Sequence, residues 1–160
     1  MPDLLVKLYD LPDAAPAMRR VAEAGVTLRR AMPYDRHHVE AFIGKHFSAG
    51  WLSEATSVWS RQPIPCVLAL RDEQLVGFAS YDTTMRGFFG PTGVAESQRG
   101  RGIGEALLHM SLRGLRELGY GYAIIGSAGP VAWYEKTVGA TVIDGSEPGV
   151  YADFIKGITD

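Results

Sequence analysis

The chain has 160 residues, 46% of them hydrophobic, which suits one domain with a substantial buried core. Its formal net charge of -2 at pH 7 provides no general basic field, and no stretch approaches the ~20 apolar residues of a membrane span, so we expect neither nucleic acid nor a membrane as a partner. The only cysteine, Cys66, lies in an apolar run, and no secretory signal pattern opens the chain, so the sequence predicts a cytoplasmic protein without disulfides.

The first 25 residues predict a strand followed by a helix. "LLVKLYDL" has the composition of a strand, and after a proline-containing break "AMRRVAEAG" predicts a short helix that closes at Gly25. We interpret residues 1–25 as an extension packed on a core domain formed by residues 26–160. This extension either covers the sheet or supports association, so a homodimer is one arrangement left open.

The next segment predicts a strand and two helices. "VTLRRAM" resembles a strand, and Asp35 is placed to cap a helix over "RHHVEAFIGKHF". Four apolar side chains of that helix share one face: Val39, Phe42, Ile43 and Phe47. A second helix is predicted over "WLSEATSVWS", residues 51–60.

Residues 65–94 predict three strands, the last of them irregular. "PCVLALR" and "LVGFASY" flank a polar turn in the pattern of an antiparallel hairpin, and "RGFFGPTGV" continues as a further strand. Gly90, Pro91 and Gly93 stand where a regular ladder needs side chains and amide donors. We therefore predict that pairing is interrupted near the end of this strand.

The remaining elements alternate. A long helix begins near Ile103 and ends at Gly119. It carries a broad apolar face: Ile103, Leu107, Leu108, Met110, Leu112, Leu115 and Leu118. "YAIIG" predicts a buried strand and "VAWYEKTVG" a compact helix, while "ATVID" and "VYADFI" are predicted as closing strands.

A glycine-rich stretch, "ESQRGRGIGEALL" at residues 96–108, opens the long helix. Free backbone amides at a helix N-terminus suit phosphate oxygens, and Arg99 and Arg101 add charge-assisted donors. The three glycines at 100, 102 and 104 fit neither the dinucleotide-binding nor the nucleotide triphosphate loop pattern. The stretch therefore predicts an anion site of another type.

This stretch resembles the coenzyme A loop of the GNAT N-acetyltransferases. In "RGRGIG", residues 99–104, Arg99, Gly102 and Gly104 match the family pattern, and "AWYEKTVGA" is similar to the family helix with Tyr134 in its tyrosine position. The resemblance extends from about residue 26 to 151. It implies a single α/β domain with a mixed, mostly antiparallel sheet that has a V-shaped split and is flanked by helices.

The resemblance also implies acetyl-CoA as donor, a primary amine, most simply of a small molecule, as acceptor, and direct attack in a ternary complex without a metal. The pantetheine arm would enter the split beside Val94, and Ser127 stands where many members carry a cofactor-binding asparagine. The diphosphate would lie on the loop: Arg99, Gly100, Arg101, Gly102, Ile103 and Gly104. Tyr134 would contact the cofactor and protonate the leaving thiolate. Protein lysine or N-terminal acetylation and a non-catalytic acyl-CoA-binding module are the alternatives.

The general base and the acceptor pocket are less determined by the sequence. Glu54 and Asp82 are the candidate bases, and a water relay is the alternative. Trp51 and Trp59 either line the acceptor pocket or pack in the core. The four histidines, at positions 37, 38, 46 and 109, lack metal-ligand spacing and are expected at the surface or as caps.

Overall fold

This computed structural model describes residues 1–159, which form seven strands and five α-helices. The strands are β1 (Leu4–Lys7), β2 (Val26–Arg30), β3 (Cys66–Arg71), β4 (Gln74–Tyr81), β5 (Phe88–Val94), β6 (Tyr122–Ile125) and β7 (Thr141–Val142). The helices are α1 (Ala15–Glu23), α2 (Arg36–His46), α3 (Ala49–Ala55), α4 (Ile103–Glu117) and α5 (Val131–Val138). Within residues 1–159, every helix is too short or too polar to cross a membrane.

All strands form one sheet in the order β2-β3-β4-β5-β6-β1-β7. Neighbouring strands are antiparallel except β5 and β6, which run parallel. The prediction of a mixed, mostly antiparallel sheet in one α/β domain is confirmed. The N-terminal strand β1 lies inside the sheet, where Leu4 pairs with Ile125 of β6 on one side and with Val142 of β7 on the other.

Helices cover both faces of the sheet, because its central strands are apolar on both sides. In β3, Val67 and Ala69 belong to the core under α1, α4 and α5, whereas Cys66 and Leu68 belong to the core under α2 and α3. This alternation follows from the two-residue period of a strand. The sheet is therefore the middle layer of three. This position explains why the sequences of its interior strands are continuous apolar runs.

The long helix α4 packs across the sheet with the apolar face that the sequence predicts. Ile103, Leu107 and Leu112 on that face are almost completely buried. Leu118 is an exception, since the helix ends at Glu117 and the Leu118 residue remains 47% exposed. Gly119 follows with φ +96°, a conformation that glycine adopts without strain, and this confirms the predicted stop.

Several predicted elements differ in the structure. The first strand ends at Lys7, and residues 51–60 divide between α3 and a 3-10 helix (Thr56–Ser60). "VYADFI" is not a strand: Gly149–Tyr151 forms a 3-10 turn, and residues 154–159 belong to no helix or strand. The physical reason is that β1 fills the position beside β6 and β7 fills the next one, so neither position is left for "VYADFI".

Asp35 occupies the N-cap position of α2 but does not cap it. Its carboxylate accepts hydrogen bonds from the Arg29 guanidinium at 2.6 and 2.9 Å and from the Met32 amide at 2.7 Å. The Arg29 hydrogen bond is the main reason that the pKa of Asp35 lies below its usual value. The side chain therefore fixes the turn between β2 and α2.

We predict that Gly114→Ala lowers the stability of the fold. A Cβ at Gly114 would lie 2.5 Å from Cζ of the buried Tyr81, so α4 would have to move away from β4. Overpacking of this kind costs about 1–3 kcal/mol. The matched control is Gly44→Ala in α2, where the nearest atom is Leu52 Cδ2 at 3.7 Å and the alanine should be neutral or stabilising. Denaturant unfolding of both variants measures this difference, and equal stabilities would contradict it.

Candidate active site

The sheet divides where β5 and β6 separate. The two strands pair only through Phe88 with Ile124 and Phe89 with Ile125, although β5 continues to Val94. The β4–β5 register shifts opposite this point, and Gly90 has φ +111°. The predicted interruption of the strand is confirmed, and it leaves one side of the last residues of β5 without a neighbouring strand.

Val94 directs its backbone polar groups into this gap. The amide of Ala95 donates to the carbonyl of Val76 on β4, and successive residues of an extended strand point their backbone groups to opposite sides. The N–H and C=O of Val94 therefore face away from β4. Consistent with this direction, Nε of Arg99 lies 3.3 Å from the Val94 carbonyl oxygen and donates to it. An extended ligand can pair with this exposed backbone edge.

A cleft of about 570 Å³ occupies the gap between β5, the start of α4 and α5. Phe47 and Trp51 form part of its wall, together with Glu105 and Trp133. Most of the residues that the sequence predicts for the site line this cleft: Val94, Arg99, Gly100, Gly102, Ile103, Gly104 and Tyr134.

The glycine loop reaches the helix through two left-handed residues. Gly100 and Gly102 both have φ +78°, and Gly102 is the N-cap of α4. Residues with side chains rarely adopt this conformation, which explains the glycines physically. Gly104 lies in the first turn of the helix, where a Cβ would have no atom within 4 Å. The loop thus presents bare backbone to the cleft.

The amides of residues 100–105 have no hydrogen-bond acceptor among residues 1–159. The first amide of this region with an intramolecular partner is that of Ala106, which donates to the Gly102 carbonyl at 3.1 Å. These donors lie at the positive end of the α4 dipole. Successive free amides, bare backbone and nearby arginines are the features that bind an anion such as phosphate in proteins.

Arg20 also reaches the loop, although no motif in the sequence indicates this contact. The guanidinium of Arg20, from α1, donates to the carboxylate of Glu105 at 2.7 Å. Its side chain also crosses Gly102, because a Cβ there would meet the Arg20 Cδ at 3.0 Å. These residues lie far apart in the chain, so no local pattern could connect them.

The phenol of Tyr134 is a further titratable group that lines the cleft. The residue is 7% exposed, and its hydroxyl forms no hydrogen bond with residues 1–159. Burial raises the pKa of this phenol above its usual value of 10.0. The group is therefore protonated at neutral pH, so that it is able to donate a proton but not to accept one there.

An aromatic wall closes one side of the cleft. The rings of Phe47 and Trp51 stack with centroids 5.2 Å apart and an interplanar angle of 23°. Phe47 lies directly on Gly93, where a Cβ would be 2.3 Å from the ring, so glycine is required for this contact. Of the two tryptophans proposed for the acceptor pocket, Trp51 lines the cleft, whereas Trp59 packs against the core under α2 and α3.

Comparison with known proteins identifies the family. Residues 30–140 match the model of the Acetyltransferase (GNAT) family, which is more than half of the chain. The chain belongs to this family. No curated protein matches it in sequence.

Solved structures share the GNAT fold of this chain. A GCN5-related N-acetyltransferase from Sphaerobacter thermophilus matches 89% of this chain and 48% of its own, at 22% identity and a TM-score of 0.66. One from Kribbella flavida matches 88% and 53%, at 22% identity and a TM-score of 0.61. The glucosamine N-acetyltransferase region of a fungal multi-domain GH3 beta-N-acetylglucosaminidase reaches a TM-score of 0.74 at 16% identity, over 89% of this chain and 19% of that one. The chain thus spans between about a fifth and a half of these proteins.

Four residues predicted for the GNAT site, or considered for its base, do not line the cleft. Arg101 is an exposed residue of the loop that does not line the cleft, and the Glu54 carboxylate accepts a hydrogen bond from the Thr84 hydroxyl. The amide of Ser127 donates to Asp3 Oδ1 at 2.7 Å, and Ser127 has φ +46°.

Asp82 serves a turn instead of the cleft. Its carboxylate accepts hydrogen bonds from the Gly87 amide at 2.6 Å, the Tyr120 hydroxyl at 2.8 Å and the Arg61 guanidinium at 3.2 Å. Two of these donors contact Oδ1 and one contacts Oδ2, so the carboxylate is largely engaged in the turn. His109 also differs from expectation: it is buried in α4, and burial lowers its pKa.

We predict that Tyr134 titrates above pH 10 in the folded protein. Desolvation disfavours its phenolate, so the pKa must move upward from the usual phenol value of 10.0. NMR of protein labelled with ¹³C at the tyrosine Cζ measures the midpoint, and Tyr134→Phe identifies the resonance by its loss. A midpoint at or below 10 would show that the hydroxyl is solvated.

Proposed function

We propose that this protein is an N-acetyltransferase that transfers an acetyl group from acetyl-CoA to a primary amine of a small molecule. The observation that carries the proposal is one cleft whose lining includes both the glycine loop, with the free amides of residues 100–105, and the buried Tyr134. Membership of the acetyltransferase family supports the reaction class. The acceptor and the catalytic roles below are parts of the proposal.

The residues present fit acetyl-CoA. The amides of residues 100–105, with Arg99 and Arg101 beside them, would hold the diphosphate, because glycine lets phosphate oxygens approach the backbone closely. The exposed backbone edge of Val94 would hold the pantetheine arm by strand-like pairing. Ser127 is proposed only as a neighbour of the arm, since its amide is already bound to Asp3. Acetyl-CoA supplies an activated thioester.

In the proposed reaction the amine nitrogen forms a bond to the thioester carbon, and the carbon–sulfur bond breaks. No covalent enzyme intermediate is required, so the protein needs to orient the reactants and move protons. Tyr134 gives its proton to the leaving thiolate, for which its burial suits it. A backbone amide at the interrupted end of β5 would bind the developing oxyanion.

The proton of the attacking amine needs a second path. We propose Glu54 as the general base through an intervening water, because its carboxylate lies outside the cleft wall beside Thr84. Release of the proton to water alone is the alternative. Asp82 is the weaker candidate, because three donors already surround its carboxylate.

One observation favours a second candidate, a non-catalytic acyl-CoA-binding module. Among the described residues that line the cleft, Glu105 is the only carboxylate, and it is paired with Arg20. A module of this kind would bind acetyl-CoA without turnover. Acetylation of a protein lysine or N-terminus remains the alternative acceptor class. A screen of small amines and peptides with acetyl-CoA, read by thiol release, separates these functions.

We predict that Gly102→Val weakens CoA binding tenfold or more. Valine would place a branched side chain at the N-cap, where the phosphate must approach, and would strain a residue that has φ +78°. Isothermal titration calorimetry with CoA measures the loss, in which tenfold corresponds to about 1.4 kcal/mol.

Gly25→Val is the matched control for this substitution. Gly25 has a similar φ of +75°, but a Cβ there meets no atom within 4 Å and the residue does not line the cleft. The control should bind CoA as the unsubstituted protein does, although it carries a similar backbone strain. A folded Gly102→Val protein with unchanged CoA affinity would remove the loop from the proposed site.

We predict that Tyr134→Phe lowers kcat by about 100-fold or more while CoA affinity changes little. The substitution retains the buried ring and removes the proton that this residue would donate, and a positioned proton donor contributes on this scale. Steady-state kinetics on the best acceptor and calorimetry with CoA measure the two quantities. Parallel, modest losses in both would assign Tyr134 to positioning, and an unchanged kcat would exclude the acid role.

A further inference from the structure

We propose that Arg20 of α1 is a phosphate-binding residue that contacts the diphosphate of the cofactor. The inference rests on the proposed function, because it concerns the same cleft. It goes beyond that function in assigning part of the site to a helix that precedes residues 30–140, the range that matches the family model.

The contacts of Arg20 place its guanidinium at the mouth of the glycine loop. A Cβ at Gly102 would lie 3.0 Å from Cδ and 3.2 Å from Nη1 of Arg20, so the side chain passes over the N-cap of α4. Nη1 donates to Glu105 at 2.7 Å, and Glu105 lines the cleft. The cation therefore lies beside the amides proposed to hold the diphosphate.

The electrostatics of this position favour a further anion in addition to the Glu105 carboxylate. A helix N-terminus carries partial positive charge and disfavours a nearby cation. Arg20 lies there together with Arg99 and Arg101, and its only ion pair within residues 1–159 is with Glu105. A phosphate group bound to the amides would offset this positive charge, since it attracts both the guanidinium and the positive end of the helix.

The side chain also retains donors for a ligand. A guanidinium has five N–H donors, and among the described residues Arg20 uses Nη1 only, toward Glu105. Arginine binds phosphate oxygens through two parallel hydrogen bonds when it has free donors. Arg20 is thus able to keep its pair with Glu105 and bind a phosphate at the same time.

A purely structural role for the Arg20–Glu105 pair is the competing explanation, and the packing of α1 argues against it. Ala17 and Val21 of this helix are almost fully buried against the core. The Arg20 side chain, in contrast, is 52% exposed, and exposed ion pairs contribute little to stability. The helix is held without Arg20, so the charge is available for another purpose.

The test compares three ligands in Arg20→Ala. CoA and dephospho-CoA both contain the diphosphate, and pantetheine contains no phosphate. We expect Arg20→Ala to lose about tenfold in affinity for CoA and for dephospho-CoA at low ionic strength, and to bind pantetheine unchanged. The loss should decrease as salt is added, because the residue is half exposed. Arg20→Gln is the second variant if the alanine protein is poorly folded.

Arg19→Ala is the matched control. Arg19 is the preceding residue of α1, is exposed, and forms no salt bridge within residues 1–159. The Arg19→Ala substitution removes the same net charge from the same helix, but it removes no charge beside the loop. We expect CoA affinity in this control within about twofold of the unsubstituted protein, because its charge is screened by solvent.

A double-mutant cycle with Glu105→Gln excludes an indirect effect. Removal of Arg20 leaves the Glu105 carboxylate uncompensated, and this charge alone would repel phosphate. If Arg20 contacts the diphosphate, Arg20→Ala should still weaken CoA in the Glu105→Gln background. A loss that disappears in that background would show that Arg20 only neutralises Glu105, and it would overturn the inference.

The remaining outcomes are also decisive. A loss for CoA but not for dephospho-CoA would move Arg20 to the 3′-phosphate, and an equal loss for pantetheine would indicate a folding defect; either result contradicts the diphosphate contact. Unchanged CoA affinity in Arg20→Ala overturns this inference alone. If the unsubstituted protein does not bind CoA, the proposed function fails and this inference fails with it.

Discussion

The separation of β5 from β6 is the constraint on which the rest of the site depends. After the pair of Phe89 and Ile125 the two parallel strands exchange no further hydrogen bonds, and the backbone of β5 has an open side up to Val94. An unpaired strand edge in the middle of a sheet is costly unless water or a ligand satisfies it. The cleft lies in this gap, and the loop that follows β5 leads directly from it to the N-terminus of α4. The free amides of the loop and the open edge of β5 are therefore consecutive in the chain.

The N-terminal 25 residues support this opening from both sides. On the far side of β6, β1 pairs with all of its residues from Tyr122 to Ile125, so that β6 is held from the side opposite β5 up to the point where the two strands separate. Asp3, just before β1, binds the Ser127 amide at the end of β6 and so holds the chain where it turns away from the split. On the near side, α1 carries Arg20 to the glycine loop. A segment that precedes the matched range thus stabilises one wall of the gap and alters the charge at the other.

The sequence predicts features that depend on neighbouring residues and misses those that depend on distant ones. The glycine loop can be predicted from the sequence because positive φ angles, bare backbone and a helix start all arise within residues 99–104. The apolar faces of α2 and α4 can also be predicted, because the spacing of their apolar residues is a local property of the sequence. The contact of Phe47 with Gly93 joins a helix end to a strand, and no spacing encodes it. Leu118 fits the periodicity but lies beyond the last helical residue, Glu117, so the geometry of the helix end decides its exposure.

The predicted closing strand was wrong and the role of Asp82 was left undecided, and both outcomes have the same physical reason. A strand-like composition such as "VYADFI" states only that a segment can pair, and the pairing partner depends on which strand occupies the neighbouring position first. Here β1 occupies it. A carboxylate at the end of β4 is likewise compatible with catalysis or with a turn, and the donors around Asp82 determine the turn.

The glycine loop and Tyr134 impose opposite requirements on protons and charge in the cleft. Burial raises the pKa of Tyr134, which makes it a proton donor and prevents it from serving as the base at neutral pH. Glu105, the carboxylate in the described cleft wall, lies at the loop end and is paired with Arg20, where it moderates positive charge instead of accepting a proton. In the proposed reaction the two protons must then move by separate routes, one from Tyr134 to sulfur and one from the amine toward water and Glu54. The cleft itself needs no free carboxylate, and a negative charge near the loop would oppose the phosphates that the same cleft is proposed to bind.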